Sequence, residues 1–232
     1  MPGKKPFKDR ETMAHVAERR AEAYGSLVGV FSSLPDEDLL IRIKGNGLDE
    51  LLDSFYEWDR SRFKSGVDHV KSYCAAVGTK PDEEVLAELS VDRTRILRGT
   101  SNTNLRPPYE GVYRYGKGRG ASVLEVKKFY RKAGLLPDET VLETADYLCV
   151  ELDFMRNLCR REQEQWASAV DVSRTVAAEE QFLTEHLGSW VGEFCSQAQK
   201  DAWTDFYRGF LLILDGLVKI DMEYLHELVR RC

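Results

Sequence analysis

The stretch ETADYLCVELDFM, residues 143 to 155, holds the chain's most suggestive set of ligand-binding groups. Glu143, Asp146, Glu151 and Asp153 lie on a segment whose apolar positions repeat at helical spacing. Glu143, Asp146 and Tyr147 stand at i, i+3 and i+4, which gathers them on one face of a helix running through Glu143. Carboxylates so gathered can receive cations, and a guanidinium bidentately. Acids in a first helical turn also suit the helix dipole, so spacing alone does not separate a site from a helix start. A second candidate lies upstream in NLRPPYEGVYRYGKGRG, residues 104 to 120. There two prolines, four glycines and three tyrosines interrupt leucine- and charge-rich sequence.

Other chemistries find less support. GKGRG, Gly116 to Gly120, lacks both the spacing and the preceding strand of a Walker A loop. Glu223 and His226 form one ExxH pair, whereas a di-iron bundle needs two such pairs and two further glutamates. His15, His69 and His186 have no His or Cys partner at ligand spacing and read as surface or half-buried histidines. No GxSxG elbow and no Cys in a protease signature occurs. No catalytic residue, metal ligand or cofactor is therefore assigned.

The elements that must position these residues are helices. Met13, Val16, Ala17, Tyr24, Leu27 and Phe31 repeat at three and four, predicting a helix from about Asp9 to Ser33. Pro35-Asp36-Glu37 and Pro81-Asp82-Glu83 read as helix starts, with proline and acids in the first turn. Leu48 to Val77 reads as a helix with a break near Gly66, and Ser122 as the cap of a helix that stops at Gly134. Ala145, Leu148, Leu152, Met155 and Cys159 form one stripe. Val172 to Leu187 forms another helix, ended by Gly188. Trp203, Phe206, Phe210, Leu214 and Leu217 form a further stripe, read as core and extending to Leu228. No segment alternates with the period of a strand. The expectation is an all-α fold of about eight to ten helices. It comprises a basic tail over residues 1–10 and a single domain over 11–232 with a mobile loop at 99–121.

The 232 residues carry a net charge of −6 with 43% hydrophobic and 31% charged residues, which speaks against a nucleic-acid binder and suits a positively charged partner. No apolar run approaches a membrane span, and the basic N-terminus has no apolar segment behind it, so a cytoplasmic protein without stable membrane insertion is expected. Cys74, Cys149, Cys159, Cys195 and Cys232 include no CxxC pair and read as free thiols.

Four blocks then resemble a known family. PPYEGVY (107–113), FYRKAGL (129–135), ETADYLCVELDFMRNLC (143–159) and FLTEHLGSW (182–190), the last followed by FC and DFYRGF, are similar in order and spacing to the TorD/DmsD/NarJ chaperones. The resemblance spans roughly residues 85 to 225. The family's Glu-x-Pro-Asp-His motif falls on Glu143, Ala145, Asp146 and Tyr147, with Ala145 for proline and Tyr147 for histidine. Upstream, Arg93 takes the place of the tyrosine in a Tyr-x-x-Leu-Phe pattern. The resemblance implies an all-helical, non-enzymatic, cytoplasmic chaperone without a cofactor of its own. Its implied partner is a molybdopterin-dependent oxidoreductase subunit, bound as the apo form and through its twin-arginine signal peptide, to assist cofactor insertion before export. The implied peptide site comprises Pro107, Pro108, Tyr109, Glu110, Tyr113, Glu143, Asp146, Tyr147 and Glu151. Monomer and domain-swapped dimer both fit. A helical ligand-binding regulator is the alternative, but residues 11–60 show neither the tight turn nor the positive charge of a helix-turn-helix. An all-α metal- or nucleotide-dependent enzyme would rest on ExxH and GKGRG alone.

Overall fold

The computed structural model describes residues 10–99, 105–116 and 120–231. The helices among them are α1 (Arg10–Ser32), α2 (Glu37–Lys44), α3 (Asp49–Val77), α4 (Asp82–Arg98), α5 (Glu110–Tyr115), α6 (Gly120–Ala133), α7 (Leu148–Ala167), α8 (Ser173–Glu185), α9 (Leu187–Asp201) and α10 (Asp205–Val229), with a 3-10 turn at Glu139–Thr144. The all-α expectation holds. The described residues contain no strand, and Tyr109 and Tyr147 form an isolated antiparallel bridge. No described helix is long and apolar enough to cross a membrane. Most of the tail expected over residues 1–10, and Lys117 to Arg119 of GKGRG, lie outside the described residues.

The chain forms two compact units. The first takes the described residues up to Val28, Tyr109–Trp190, and those from Val218 onward. Its core stacks Tyr130 on Phe154 at 4.2 Å and Phe154 on Phe182 at 4.7 Å between ring centroids. Arg20 of α1, 2% exposed, meets Glu162 of α7 at 2.5 Å, Glu179 of α8 at 2.6 Å and Asp221 of α10 at 2.6 Å. A buried guanidinium with so many donors satisfies several carboxylates at once, which one lysine could not do. Gly188 does not end a helix as expected: α8 stops at Glu185, and Gly188 is the second residue of α9. A Cβ there would lie 2.4 Å from the Leu183 carbonyl oxygen, so close packing is what this glycine permits. Ser122 also departs from expectation, lying buried inside α6, which starts at Gly120.

The second unit takes Gly29–Pro108 and Val191–Leu217. The break expected near Gly66 occurs at Asp59 (φ −158, ψ 97), whose side chain accepts from Arg62 N and Ser61 Oγ and restarts the helix. Gly66 instead faces Gly209 of α10, where a Cβ would stand 2.5 Å from the Gly66 carbonyl oxygen. Phe206 and Phe210 are buried as expected, but Trp203 is 58% exposed and lies in the turn before α10. Its ring sits 4.5 Å from the Arg95 guanidinium, a cation–π partner that fixes an aromatic outside the core. Cys74, Cys149, Cys159 and Cys195 carry free thiols as expected, and Cys232 lies outside the described residues.

Candidate functional site

The site grows from one backbone crossing in the first unit. Tyr109 is extended (φ −120, ψ 133), and so is Tyr147 (φ −88, ψ 141). They pair as an antiparallel bridge, and Glu110 N donates to the Asp146 carbonyl at 2.9 Å. Their rings meet at 5.0 Å between centroids. Extended pairing at Tyr147 delays α7 to Leu148, and residues 139–144 tighten into the 3-10 turn. Glu143, Asp146 and Tyr147 therefore do not share a helical face. Glu143 is exposed, Asp146 is buried and Tyr147 is half-buried. The Asp146 side chain accepts from Gly111 N at 3.2 Å, satisfying a first-turn donor of α5 that Tyr109 cannot cap.

Two buried carboxyl groups lie beneath this crossing. Glu110 opens α5 and Glu151 lies in the first turn of α7, both 0% exposed. Glu110 accepts from Arg114 Nη1, one helical turn on, and from His186 Nδ1, which lies 3.1 and 3.2 Å from its two oxygens. A carboxylate only accepts, so Nδ1 carries the imidazole proton. Glu151 Oε2 accepts from Trp190 Nε1 at 3.0 Å, while no N–H reaches Oε1. Burial first, and then the neighbouring Glu110 charge, hold the Glu151 carboxyl well above the usual carboxylate range. Burial thus favours the uncharged form of Glu151, whose carboxyl group lies beside that of Glu110. Tyr113, 8% exposed, packs against Trp190 at 5.6 Å.

Arg114 and His186 also line a groove of about 450 Å³ whose walls include Lys128 and Lys132 of α6 and Gln181 and Glu185 of α8. The structure thus brings together six of the nine residues expected at the site: Tyr109, Glu110, Tyr113, Asp146, Tyr147 and Glu151. Glu143 stands exposed on the turn before them. Pro107 and Pro108 belong to the second unit, where a Cβ on Gly99 (φ 75) would meet Pro107 N at 3.1 Å. Sequence reasoning missed Arg114, Trp190 and His186. His186 is 5% exposed rather than surface or half-buried, wedged against Phe129 and Phe182. The signal that could have found it is the four-residue spacing of His186 and Trp190 in FLTEHLGSW, both reaching the same carboxyl pair.

Known proteins bear on this geometry. A family profile described as nitrate reductase delta subunit matches residues 59–196, which include α5 to α8 and the carboxyl pair. The chaperone protein TorD of Vibrio atlanticus (strain LGP32) is 24% identical over 210 residues, 90% of this chain and 95% of that protein. The perchlorate reductase assembly chaperone protein of Dechloromonas aromatica (strain RCB) is 28% identical over 125 residues, 52% of this chain and 56% of its own. The chlorate reductase assembly chaperone protein of Ideonella dechloratans is 31% identical over 96 residues, 41% and 48% of the two chains. No solved structure matches the chain significantly. The profile covers more than half of the chain and encloses the cluster built above, so the chain belongs to the nitrate reductase delta subunit family, the NarJ/TorD group that its sequence blocks resemble.

Proposed function

We propose that this protein is a cytoplasmic, non-enzymatic chaperone that binds the twin-arginine signal peptide of a molybdopterin-dependent oxidoreductase subunit. In this role it holds the apo subunit while its cofactor is inserted and releases it for export afterwards. Relatives named as assembly chaperones of perchlorate and chlorate reductases support the role. The observation that carries the peptide reading is the Tyr109–Tyr147 pair, whose half-buried rings stand next in the chain to the buried carboxyl groups of Glu110 and Asp146. A twin-arginine signal joins a basic pair to an apolar segment, and such a site offers a partner for each.

Calorimetric titration with a twin-arginine peptide, and with its twin-lysine counterpart, tests this. Wild-type protein should prefer arginine. Tyr109→Ala should weaken binding by about 2 kcal/mol through lost aromatic contact, with little change in salt dependence. Asp146→Asn should cost about 1.5–3 kcal/mol if its charge helps hold the arginines. Folded wild-type protein that ignores the peptide would remove the signal-peptide reading.

A further inference from the structure

We propose that Arg114 stands in for a ligand's guanidinium: in the free protein it fills the acceptor position on Glu110, and an arginine brought by a ligand exchanges with it. The two partners of Glu110 differ in how firmly they are held. His186 is locked, 5% exposed, its ring between Phe129 at 5.3 Å and Phe182 at 5.2 Å. Arg114 reaches the fully buried carboxylate from the rim, with 28% of its side chain exposed where it lines the groove. It is also tethered, one helical turn from the residue it serves.

A second perch exists beside it. The guanidinium carbon lies 5.1 Å from the centre of the Tyr115 ring, and the Tyr115 hydroxyl donates to Glu125 at 2.9 Å. Tyr115 and Glu125 are both exposed. Arg114 can leave Glu110 for that aromatic face and carboxylate without unwinding α5. An exchange needs the newcomer to bind better than the group it displaces. The difference lies in Glu151 Oε1, buried beside Glu110 and reached by no N–H donor while Arg114 is in place. An untethered guanidinium, with five N–H donors, can serve both carboxyl groups, whereas Arg114 serves only one. The swap replaces one positive charge by another, so Glu110 is never left buried and unpaired. Lys128 and Lys132 offset Glu125 and Glu185 on the groove walls, so selection for a cation falls to the buried carboxyl pair behind Arg114 and His186.

That the arginine belongs to a signal peptide rests on the function proposed above, while the guanidinium acceptor itself does not, and two measurements separate them. The first is chemical rescue. Arg114→Ala should melt below wild type, and millimolar guanidinium or arginine amide at matched ionic strength should restore much of the loss. Methylammonium should not, and Arg114→Ala/Glu110→Gln should not respond. Should Arg114→Ala fail to fold, Arg114→Gln keeps an N–H for Glu110 and serves in both arms. The second is peptide titration. If Arg114 holds Glu110 in about nine molecules of ten, removing it should tighten twin-arginine peptide binding about tenfold. Rescue without peptide binding would support the exchange site and discard the signal peptide as its ligand. Absence of selective rescue overturns the exchange, as does peptide binding by the variants that is no tighter than wild type.

Discussion

At the scale of residues, the chemistry rests on two buried carboxyl groups side by side, those of Glu110 and Glu151. A buried carboxylate is tolerable when its acceptors are filled, and Arg114 and His186 fill those of Glu110. Burial and the neighbouring Glu110 charge favour the uncharged form of Glu151, so an amide can replace it. Glu151→Gln supplies an N–H toward Glu110 and an oxygen for Trp190 Nε1, and its unfolding free energy at about pH 4, below the loss of the Glu151 proton in the unfolded chain, should stay within about 1 kcal/mol of wild type. Glu151→Leu strands the Trp190 N–H and should lose about 1–3 kcal/mol. Urea unfolding of the three proteins at that pH measures both, and equal losses in the two variants would mean that the amide does not reproduce the contacts of the carboxyl group. Little of this arrangement was legible beforehand. Glu110 and Glu151 were both expected at the site, Glu110 from its place in PPYEGVY. But His186 stands 76 residues from its carboxylate, and Trp190 stands 39 from Glu151. Neither contact is local in sequence, and only the four-residue spacing of His186 and Trp190 links the two.

Elements were far more legible where burial follows helical periodicity. The stripes of α7 and α10 are buried as read, from Leu148 through Cys159 and from Phe206 through Leu217. Errors fall where a polar contact overrides the pattern. Extended pairing with Tyr109 moves the start of α7 to Leu148, and the Arg95 guanidinium draws Trp203 out of its stripe. Arg93, the departure from the family pattern, donates to the carbonyls of Phe31 at 2.5 Å and Ser32 at 2.7 Å, closing the C-terminal end of α1. A terminal carbonyl can be satisfied by any nearby cation, which is why a tyrosine position accepts an arginine here. The largest polar device among helices is the Arg20 hub. It ties α1 to α7, α8 and α10, and Trp166 Nε1 and the Tyr24 hydroxyl add donors at 2.9 and 2.8 Å. Arg20→Met should therefore cost about 3–5 kcal/mol, because three carboxyl groups lose their shared cation in a dry interior. Urea unfolding checks this; a loss below 1 kcal/mol would mean that the hub relaxes to solvent when its cation goes.

For the whole molecule, the net charge of −6 is not spread over equivalent acids. Glu151, Glu162 and Glu179, all in the first unit, have carboxyl groups raised above the ordinary range. Burial is the largest cause for each. Glu110 adds to it at Glu151, whereas Arg20 opposes it at Glu162 and Glu179. In the unfolded chain these groups titrate near 4.3, the usual value for glutamate. Between that value and their raised folded values the native state binds more protons than the unfolded state. Their contribution is therefore complete below about pH 4.3 and declines as pH rises through the folded values. Each proton involved tilts stability by up to about 1.4 kcal/mol per pH unit. Unfolding free energy should accordingly fall as pH rises above about 4.3, beyond the titration of ordinary carboxylates. Glu151→Gln removes one of these protons, so the variant should gain on wild type steadily as pH rises. The difference between the two proteins isolates that group from every titrating residue they share. Urea unfolding at several pH values gives the two curves. Parallel curves would mean that Glu151 binds protons alike in the folded and unfolded chains, and its raised proton affinity in the buried site would fall.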